Sequence, residues 1–206
     1  MNKPSSDTKD RILESARYLF WEQGYAATGM ADILKRAKAN SGSFYHFFDS
    51  KEALLLAVLD SYLGGLEPIV IRPVCENEPN PLDRIFAMLA GYRDRLLQTE
   101  CRYGCPLGRL ALEIDADNRG AHQRIAANFD AWTGWIQRWL EESRSRLPAD
   151  LDLHGLSRFI LTVMEGAVMQ SRTHRSLQPF DQSVAQLRDY FRRLTEVNQS
   201  TERGTA

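Results

Sequence analysis

Residues 41–51, Ser-Gly-Ser-Phe-Tyr-His-Phe-Phe-Asp-Ser-Lys, decide the fold of the N-terminal part of the chain. Phe44, Phe47 and Phe48 lie three and four residues apart, a spacing that places them on one face of a helix. Asn40, just before the stretch, or its first serine can cap that helix, because a short polar side chain accepts a backbone N–H of the first turn. The stretch therefore predicts a short helix with one buried aromatic face.

A second helical segment, Met30–Ala37, precedes this helix across the three-residue break Lys38-Ala39-Asn40. Two short helices joined by such a break form a helix-turn-helix, which presents its second helix to the DNA major groove. A local basic cluster brackets the motif, as expected where phosphates bind, and consists of Lys35, Arg36, Lys38 and Lys51. We assign DNA contacts to Thr28, Lys38, Asn40, Ser41, Gly42, Ser43, Tyr45, His46 and Lys51. The alternative is a solvated charged surface and a helix that serves only the core.

Composition excludes several classes of protein. The 206 residues carry a formal net charge of -1, so no global basic field indicates nucleic acid, although a local patch is sufficient for binding. The three cysteines, Cys75, Cys101 and Cys105, cannot all pair, which favours a reducing compartment. The polar first ten residues lack the apolar core of a signal peptide, and no run of about eighteen apolar residues could span a bilayer. We expect a cytoplasmic protein without membrane contact.

The sequence predicts no catalytic residue, metal site or cofactor. Cys101-x-x-x-Cys105 with His122 falls short of the four ligands of a structural zinc site. The four histidines are scattered along the chain, and their spacing supports no pairing with a serine or cysteine nucleophile. The glycines do not have the spacing of a phosphate-binding loop.

Helical periodicity continues beyond the motif and predicts an all-α fold of about nine helices. Proline, asparagine and glutamate indicate a loop over residues 68–81. Further helices are predicted over residues 82–99, from Pro106, in a long segment after residue 118, over residues 153–175 and from Pro179. The last helix carries an apolar seam at spacings of four, three, four and three, which is typical of helix bundles.

The N-terminal pattern resembles the DNA-binding domain of TetR-family transcriptional regulators. The resemblance covers about the first 66 residues and rests on this series: an apolar helix ended by Gly24, then Thr28, Ile33 and Ala37, then Gly42-Ser43-Phe44-Tyr45-His46-Phe47-Phe48 and Ser50-Lys51-Glu52-Ala53-Leu54-Leu55. The family usually has glycine in the turn where this chain has Lys38. We therefore expect Lys38 at positive φ, or a locally different turn, and it can equally add a phosphate contact.

The resemblance implies a DNA-binding domain over residues 1–66 and an effector-binding and dimerisation domain over residues 67–206. It also implies a homodimer whose recognition helices lie about 34–36 Å apart, one DNA turn, or a multiple of that distance, and so match a palindromic operator. The last two helices are the predicted dimer interface, through Phe159, Val163, Phe180, Val184, Leu187, Phe191 and Leu194. The alternative is that this seam packs entirely within one chain.

In the TetR family the effector pocket lies among the central helices of the C-terminal domain. The corresponding helices here supply apolar and aromatic side chains, which favour a small apolar ligand. The candidate effector residues are Met88, Tyr92, Cys105, Leu110, Phe129, Trp132, Phe159 and Met164. Aromatic residues at helical spacing also build ordinary cores, so core packing is the alternative.

Cys105 stands directly before Pro106, where a helix is predicted to begin, and a helix N-terminus stabilises a thiolate. Arg102 and Arg109 are close in sequence and act in the same direction. The stretch Gly104-Cys105-Pro106-Leu107-Gly108-Arg109-Leu110-Ala111-Leu112-Glu113 resembles a segment of a subset of TetR-like regulators, some of which respond to electrophiles or oxidants through a cysteine here. Cys101 would then be a candidate resolving thiol. The alternative is an inert, buried thiol.

Together these features predict a DNA-binding transcriptional repressor that a small apolar or electrophilic effector, or modification of Cys105, releases from its operator. Two alternatives from other classes stay open. One is a thiol-dependent enzyme that uses Cys105 beside a vestigial helix-turn-helix, and the other is a nonspecific DNA-packaging protein. Salt-dependent, sequence-selective DNA binding distinguishes the regulator from both.

Overall fold

Every regular element in the described part of the chain is a helix, which confirms the predicted all-α fold. The computed structural model describes the backbone of residues 6–204 and the side chains of residues 7–196. The elements in chain order are α1 (Ser6–Glu22), α2 (Met30–Ala37), α3 (Ser41–Phe47), α4 (Lys51–Gly65), a π-helical segment (Leu66–Ile71), α5 (Arg72–Asn77), α6 (Pro81–Gln98), α7 (Pro106–Glu113), α8 (Arg119–Glu142), a 3-10 turn (Arg144–Arg146), α9 (Leu153–His174) and α10 (Gln178–Gly204).

Helical backbone continues without a break from α4 through the π-helical segment into α5. Counted as one segment, it gives nine helices in the described residues, as predicted. The predicted loop over residues 68–81 is wrong, because only residues 78–80 separate α5 from α6. Pro73 lies just after the change from π-helical to α-helical hydrogen bonding, and Pro68 lies within the wider π-helical segment. Both positions tolerate a proline without ending the helix.

The described chain forms two compact units, and one change of unit falls between residues 65 and 66, beside the division predicted at residue 66. The first unit contains the described part of Met1–Gly65 together with Cys105–Phe129. The second contains Leu66–Gly104 and the described part of Asp130–Ala206. Helix α7 and the first part of α8 therefore pack with the N-terminal helices. The N-terminal motif carries no signal for this addition, since it depends on contacts between residues far apart in sequence.

The core of the first unit contains one fully buried side chain from each of the four N-terminal helices. Phe20, Ile33, Phe44 and Leu54 come from α1, α2, α3 and α4, and none is more than 1% exposed. Their burial follows from the apolar stripe that each amphipathic helix carries. The packing holds α3 by its inner face and leaves the opposite face open.

The core of the second unit is built in the same way from α6, α8, α9 and α10. Ile85, Trp139, Ile160 and Phe180, one from each helix, are at most 1% exposed. The Phe180 N–H donates to the buried Ser171 Oγ at 3.1 Å, which ties the start of α10 to the end of α9. This hydrogen bond satisfies a backbone donor at a helix N-terminus.

One helical segment in the described residues, Lys51–Asn77, is long and apolar enough to cross a membrane by length and composition alone. The expectation that no segment is long and apolar enough to span a bilayer is therefore not met. The segment carries Asp60, which pairs with Arg124 at 2.9 Å, and the core helices of many proteins pass the same test. A single such segment is weak evidence for a membrane role.

Candidate nucleic-acid interface

Helices α2 and α3 form the predicted helix-turn-helix, and the turn between them is left-handed at Lys38. Lys38 has φ 50° and ψ 45°, and its N–H is directed to the Leu34 and Lys35 carbonyls in the last turn of α2. The expected positive φ is therefore confirmed, and the turn keeps its usual hand without glycine. Asn40 begins α3, because its Oδ1 accepts the Ser43 N–H at 2.8 Å. These two residues fix where the recognition helix starts.

Helix α3 has one face in the core and one face in solvent. Phe44 and Phe48 are buried, with ring centroids 5.7 Å apart, whereas Phe47 is only half-buried. The outward residues are Ser41, Gly42, Tyr45 and His46, with Ser43 half-buried beside them. Small residues at the start of the helix allow a DNA backbone to approach closely, and the Tyr45 hydroxyl and His46 ring can donate hydrogen bonds.

Exposed basic side chains of α2 and the turn add positive charge to the motif. Lys35, Arg36 and Lys38 are all exposed, as the phosphate-binding cluster requires. The Arg36 guanidinium lies 3.6 Å from the centroid of the Tyr18 ring, a cation–π contact that restricts its position. Arg11 has a different role, since its Nε donates to the Ala37 carbonyl at 3.0 Å and so closes the end of α2.

Thr28 does not belong to the exposed surface, and its assignment as a DNA contact needs correction. Its side chain is buried, its Oγ1 donates to the Gly24 carbonyl at 2.6 Å, and Gln23 Nε2 donates to it at 3.3 Å. The N-cap of α2 is Gly29, which makes no side-chain capping bond. Thr28 therefore stabilises the turn between α1 and α2 from inside.

Lys51 also has an internal role, and its phosphate contact stays a prediction. Lys51 Nζ donates to the Tyr25 carbonyl at 2.6 Å and lies 4.3 Å from the centroid of the Tyr25 ring. Partial burial lowers the pKa of Lys51 from its ordinary value, while Glu113 acts in the opposite direction. The ammonium thus joins the start of α4 to the turn after α1.

Several contacts to the DNA-binding helices come from residues that the sequence did not single out. Helix α8 and the residue before it bond to α4 at three levels: Asn118 to Glu52 at 2.8 Å, Arg124 to Asp60 at 2.9 Å, and Asn128 to the Leu59 carbonyl at 3.1 Å. Helix α7 reaches the turn after α1, where Glu113 accepts the Tyr25 N–H at 2.7 Å. Each partner lies more than sixty residues away in sequence, so periodicity could not reveal the pair.

Two protein-family profiles match most of the chain. Residues 12–58 match "Bacterial regulatory proteins, tetR family", and residues 81–186 match "Transcriptional regulator LmrA/YxaF-like, C-terminal domain". An uncharacterized HTH-type transcriptional regulator of Mycobacterium tuberculosis is 31% identical over 187 residues, which cover 88% of this chain and 92% of that protein. The chain belongs to the TetR family.

Other relatives and solved structures agree with the TetR-family assignment. The HTH-type transcriptional repressor NemR of Escherichia coli is 25% identical over 199 residues, covering 92% of this chain and 96% of NemR. A TetR regulatory protein from Rhodobacter sphaeroides has the same fold, with a TM-score of 0.81, 22% identity, and coverage of 91% and 98%. The reduced form of E. coli NemR gives a TM-score of 0.77 at 24% identity, with coverage of 88% and 96%. This TetR-family chain is a DNA-binding transcriptional regulator.

The predicted effector residues of this TetR-family chain lie in different environments. Three are buried in the second unit, Met88, Trp132 and Met164, and the Tyr92 ring meets Trp132 edge to face at 5.9 Å. In the first unit Cys105 and Leu110 are buried and Phe129 is half-buried. Phe159 is 50% exposed, which places it on the surface and not in an internal pocket. A role of the other residues in ligand binding stays a prediction.

The seam predicted for dimerisation divides into a buried part and an exposed part. The buried part consists of Phe180, Leu187 and Phe191, which are 1%, 3% and 5% exposed. These three residues pack mainly within their own chain, in agreement with the alternative that the seam is internal. Phe159 and Val163 of α9 and Tyr190 of α10 instead line a groove of about 360 Å³, together with Gln182, Ser183, Gln186 and Leu187. Val184 and Leu194 are half-buried. The exposed part keeps its predicted role as an interface.

Cys105 caps α7, as its position before Pro106 predicted. The Gly108 N–H donates to the Cys105 Sγ at 3.5 Å, and the residue as a whole is 6% exposed. The two arginines that were expected to activate it are both paired with carboxylates: Arg102 with Glu100, and Arg109 with Glu113, each at 2.8 Å. Burial raises the pKa of the Cys101 thiol above its ordinary value, which lowers its reactivity at neutral pH. Cys105 is buried to a similar degree and differs from Cys101 in having the Gly108 N–H directed to its sulfur.

No group of three or more His, Cys, Asp or Glu side chains that could hold a metal ion occurs among the residues the structure describes.

Proposed function

We propose that this TetR-family regulator is a cytoplasmic repressor that binds a palindromic operator as a homodimer and leaves it when a small effector binds the chain or modifies Cys105. The exposed face of α3 carries the proposal. This face presents small and hydrogen-bonding residues, while Phe44 holds the opposite face of the helix in the core. Exposed positive charge nearby comes from Lys35, Arg36 and Lys38. The relative NemR is a transcriptional repressor, which supports repression and not activation by this chain.

The test of sequence-specific binding begins with selection of duplexes from a randomised library by the wild-type protein. A palindromic consensus whose half-sites are one DNA turn, or a multiple of one, apart is the expected result. A titration on the selected duplex with excess random duplex then measures selectivity, which we expect to be about a thousandfold or more. Recovery of no consensus, or equal binding to random DNA, would contradict the proposal and favour nonspecific packaging.

Homodimerisation is supported by the exposed part of the α9–α10 surface. Phe159 and Tyr190 are 50% and 40% exposed, an unusual amount for two large aromatic residues side by side, and their ring centroids are 6.1 Å apart. Val163 extends the same apolar surface. Sedimentation equilibrium of the wild type should give twice the monomer mass of 23.5 kDa. Phe159→Glu should shift the protein towards monomer and weaken operator binding.

The proposed release mechanism uses either a bound apolar ligand or covalent modification of Cys105. The Gly108 N–H directed to its sulfur favours the thiolate form, because it adds a donor at a helix N-terminus. The similar NemR structure is that of a reduced form, which supports a test of thiol chemistry in this chain. Addition of the Cys105 sulfur to the double bond of a maleimide forms an S–C bond, and the neighbouring carbon takes up a proton.

Operator release by N-ethylmaleimide tests this mechanism. We expect the reagent to release wild type, Cys75→Ser and Cys101→Ser from the selected duplex, whereas Cys105→Ser binds the duplex normally and no longer responds. Release of Cys105→Ser to the same extent as wild type would remove the cysteine mechanism. Wild-type binding that N-ethylmaleimide leaves unchanged would also remove it, and the noncovalent apolar effector would be the mechanism to pursue. Because the TetR family consists of transcriptional regulators, we do not propose catalysis.

A further inference from the structure

The turn after α1 is the point at which three separate parts of the first unit meet. Gly24 has φ +96°, a conformation that an L side chain adopts only with strain. Its neighbour Tyr25 is fixed on both sides of the backbone, because the N–H donates to Glu113 at 2.7 Å and the carbonyl accepts from Lys51 at 2.6 Å. The Thr28 hydroxyl satisfies the Gly24 carbonyl from inside at 2.6 Å.

Arg109 of α7 closes the C-terminal end of α1. Its terminal amino group lies 3.1 Å from the Glu22 carbonyl and 3.4 Å from the Trp21 carbonyl. The last carbonyls of a helix have no partner within the helix, and a guanidinium placed there also interacts favourably with the helix dipole. Arg109 therefore supplies hydrogen bonds that α1 cannot make for itself.

Glu113 is held in place by Arg109 and fills the space above Gly24. Its Oε1 accepts from Arg109 Nε at 2.8 Å while Oε2 accepts from Tyr25, and its side chain is only 25% exposed. A Cβ atom at position 24 would lie 2.2 Å from Glu113 Oε1, too close for any real contact. A side chain at position 24 would therefore be strained by the positive φ and would also have to displace the Glu113 carboxylate.

Lys51 connects this turn to the DNA-binding surface. It is the first residue of α4 and follows the recognition helix α3 after only three residues. Its ammonium is directed to Tyr25, whose N–H is in turn held by Glu113. A continuous chain of polar contacts thus joins α7 to the position where α3 ends and α4 begins.

We infer that Glu113 and Arg109 are positioning residues for operator binding. They hold the turn at Gly24 and Tyr25, the turn holds Lys51, and Lys51 fixes the start of α4 and with it the orientation of α3. Neither residue needs to touch DNA. The inference rests on the sequence-specific binding proposed above, and it assigns to α7 a direct part in setting the recognition helix.

The experiment compares full-length variants on the duplex that the wild type selects, with the concentration of folded protein determined by circular dichroism. Glu113→Leu removes both acceptors, and we expect roughly tenfold weaker binding from the loss of a charge-assisted hydrogen bond to the backbone. Glu113→Gln keeps an acceptor for Tyr25 and should bind within about threefold of wild type. The slope of affinity against salt should not change, since no phosphate contact is lost.

Glu142→Leu is the matched control. Glu142 pairs with Arg84 at 2.8 Å in the second unit, so its loss also removes an ion pair with a half-buried arginine. Its operator affinity should equal that of wild type. Affinity of folded Glu113→Leu equal to wild type, or an equal loss in Glu142→Leu, would overturn the inference while leaving sequence-specific binding intact. A wild type that selects no sequence would instead defeat the proposed function.

A double-mutant cycle with Lys51→Met tests whether both residues act through the same turn. We expect the losses of operator affinity to be non-additive. The double variant should bind no more weakly than the single variant with the lower affinity. Additive losses would mean that Lys51 and Glu113 act independently, which contradicts the inference. If Glu113→Leu does not fold, Arg109→Gln replaces it in both experiments, with the same expected loss and the same unchanged salt slope.

Discussion

Replacement of Lys38 by glycine separates the stability of the helix-turn-helix from its electrostatic attraction to DNA. Lys38 is the only residue of the turn between α2 and α3 in the left-handed region, with φ 50° and ψ 45°. Its side chain is exposed and no bond to its ammonium is needed for the turn, which is formed by backbone groups. The two effects of Lys38→Gly therefore arise from different atoms.

The expected change in stability follows from the backbone angles. A side chain in the left-handed region costs roughly 1–2 kcal/mol, which glycine avoids. Glycine in turn loses more backbone entropy on folding, which costs about 0.5–1 kcal/mol. The difference is a net gain of about 0.5–1 kcal/mol in the free energy of unfolding. If Lys38 of each subunit contacts one phosphate, its loss should reduce the slope of log affinity against log salt by about 1.8 for the homodimer.

Urea unfolding measures the first effect, and titration of the selected duplex at several salt concentrations measures the second. Lys38→Ala is the matched control, because it loses the charge but keeps a Cβ atom in the left-handed region. It should show the same reduced salt slope without the gain in stability. A Lys38→Gly protein less stable than wild type would refute the strain argument, and an unchanged salt slope in both variants would show that Lys38 makes no phosphate contact.

Two further predictions concern buried groups of the first unit. Thr28→Val leaves the Gly24 carbonyl and the Gln23 amide without their partner, so we expect a loss of about 1–3 kcal/mol in the free energy of unfolding. Thr28→Ser keeps the hydroxyl and should lose less, and urea unfolding measures both variants. Equal losses would contradict the hydrogen-bond explanation. Burial raises the pKa of Tyr62 from 10.0 to about 12, although Arg17 acts in the opposite direction. Because the folded state holds the phenol proton more tightly than the unfolded state, the stabilisation by Tyr62 is complete below pH 10 and is lost as the pH rises towards 12. Tyr62→Phe should flatten this alkaline decline in a series of unfolding curves, and an identical decline in both proteins would rule out Tyr62 as its source.

The helix-turn-helix could be predicted from sequence because local rules determine it. The capping side chain of Asn40, the spacing of Phe44 and Phe48, and the left-handed Lys38 all depend on neighbouring residues. The same local rules failed at Pro68, where a proline usually ends a helix but here lies in a π-helical segment. Proline signals depend on the hydrogen-bond pattern of the surrounding turn, which the sequence does not state.

The remaining differences arise from contacts across the sequence. Thr28 and Lys51 have the residue types of DNA contacts, but Gly24 and Tyr25 occupy their polar groups. Periodicity identified the seam of α10 without indicating which of its residues meet the same chain, and Phe180 proved to be core. The link from Glu113 to Tyr25 spans 88 residues, so no pattern of spacing could reveal it. Sequence therefore predicted the elements and the exposed face of α3, but not the contacts that hold this face in position.

The most direct test of the central claim adds one negative charge to the outward face of α3. Ser41→Glu places an acidic residue in the first turn of α3, where the helix dipole favours it, so the free energy of unfolding should be unchanged or slightly higher. Gln178→Glu makes the same change in charge at the exposed start of α10 and is the control. We predict that binding to the selected duplex is lost in Ser41→Glu and unchanged in Gln178→Glu. Wild-type affinity in a folded Ser41→Glu protein would contradict the claim that α3 contacts DNA.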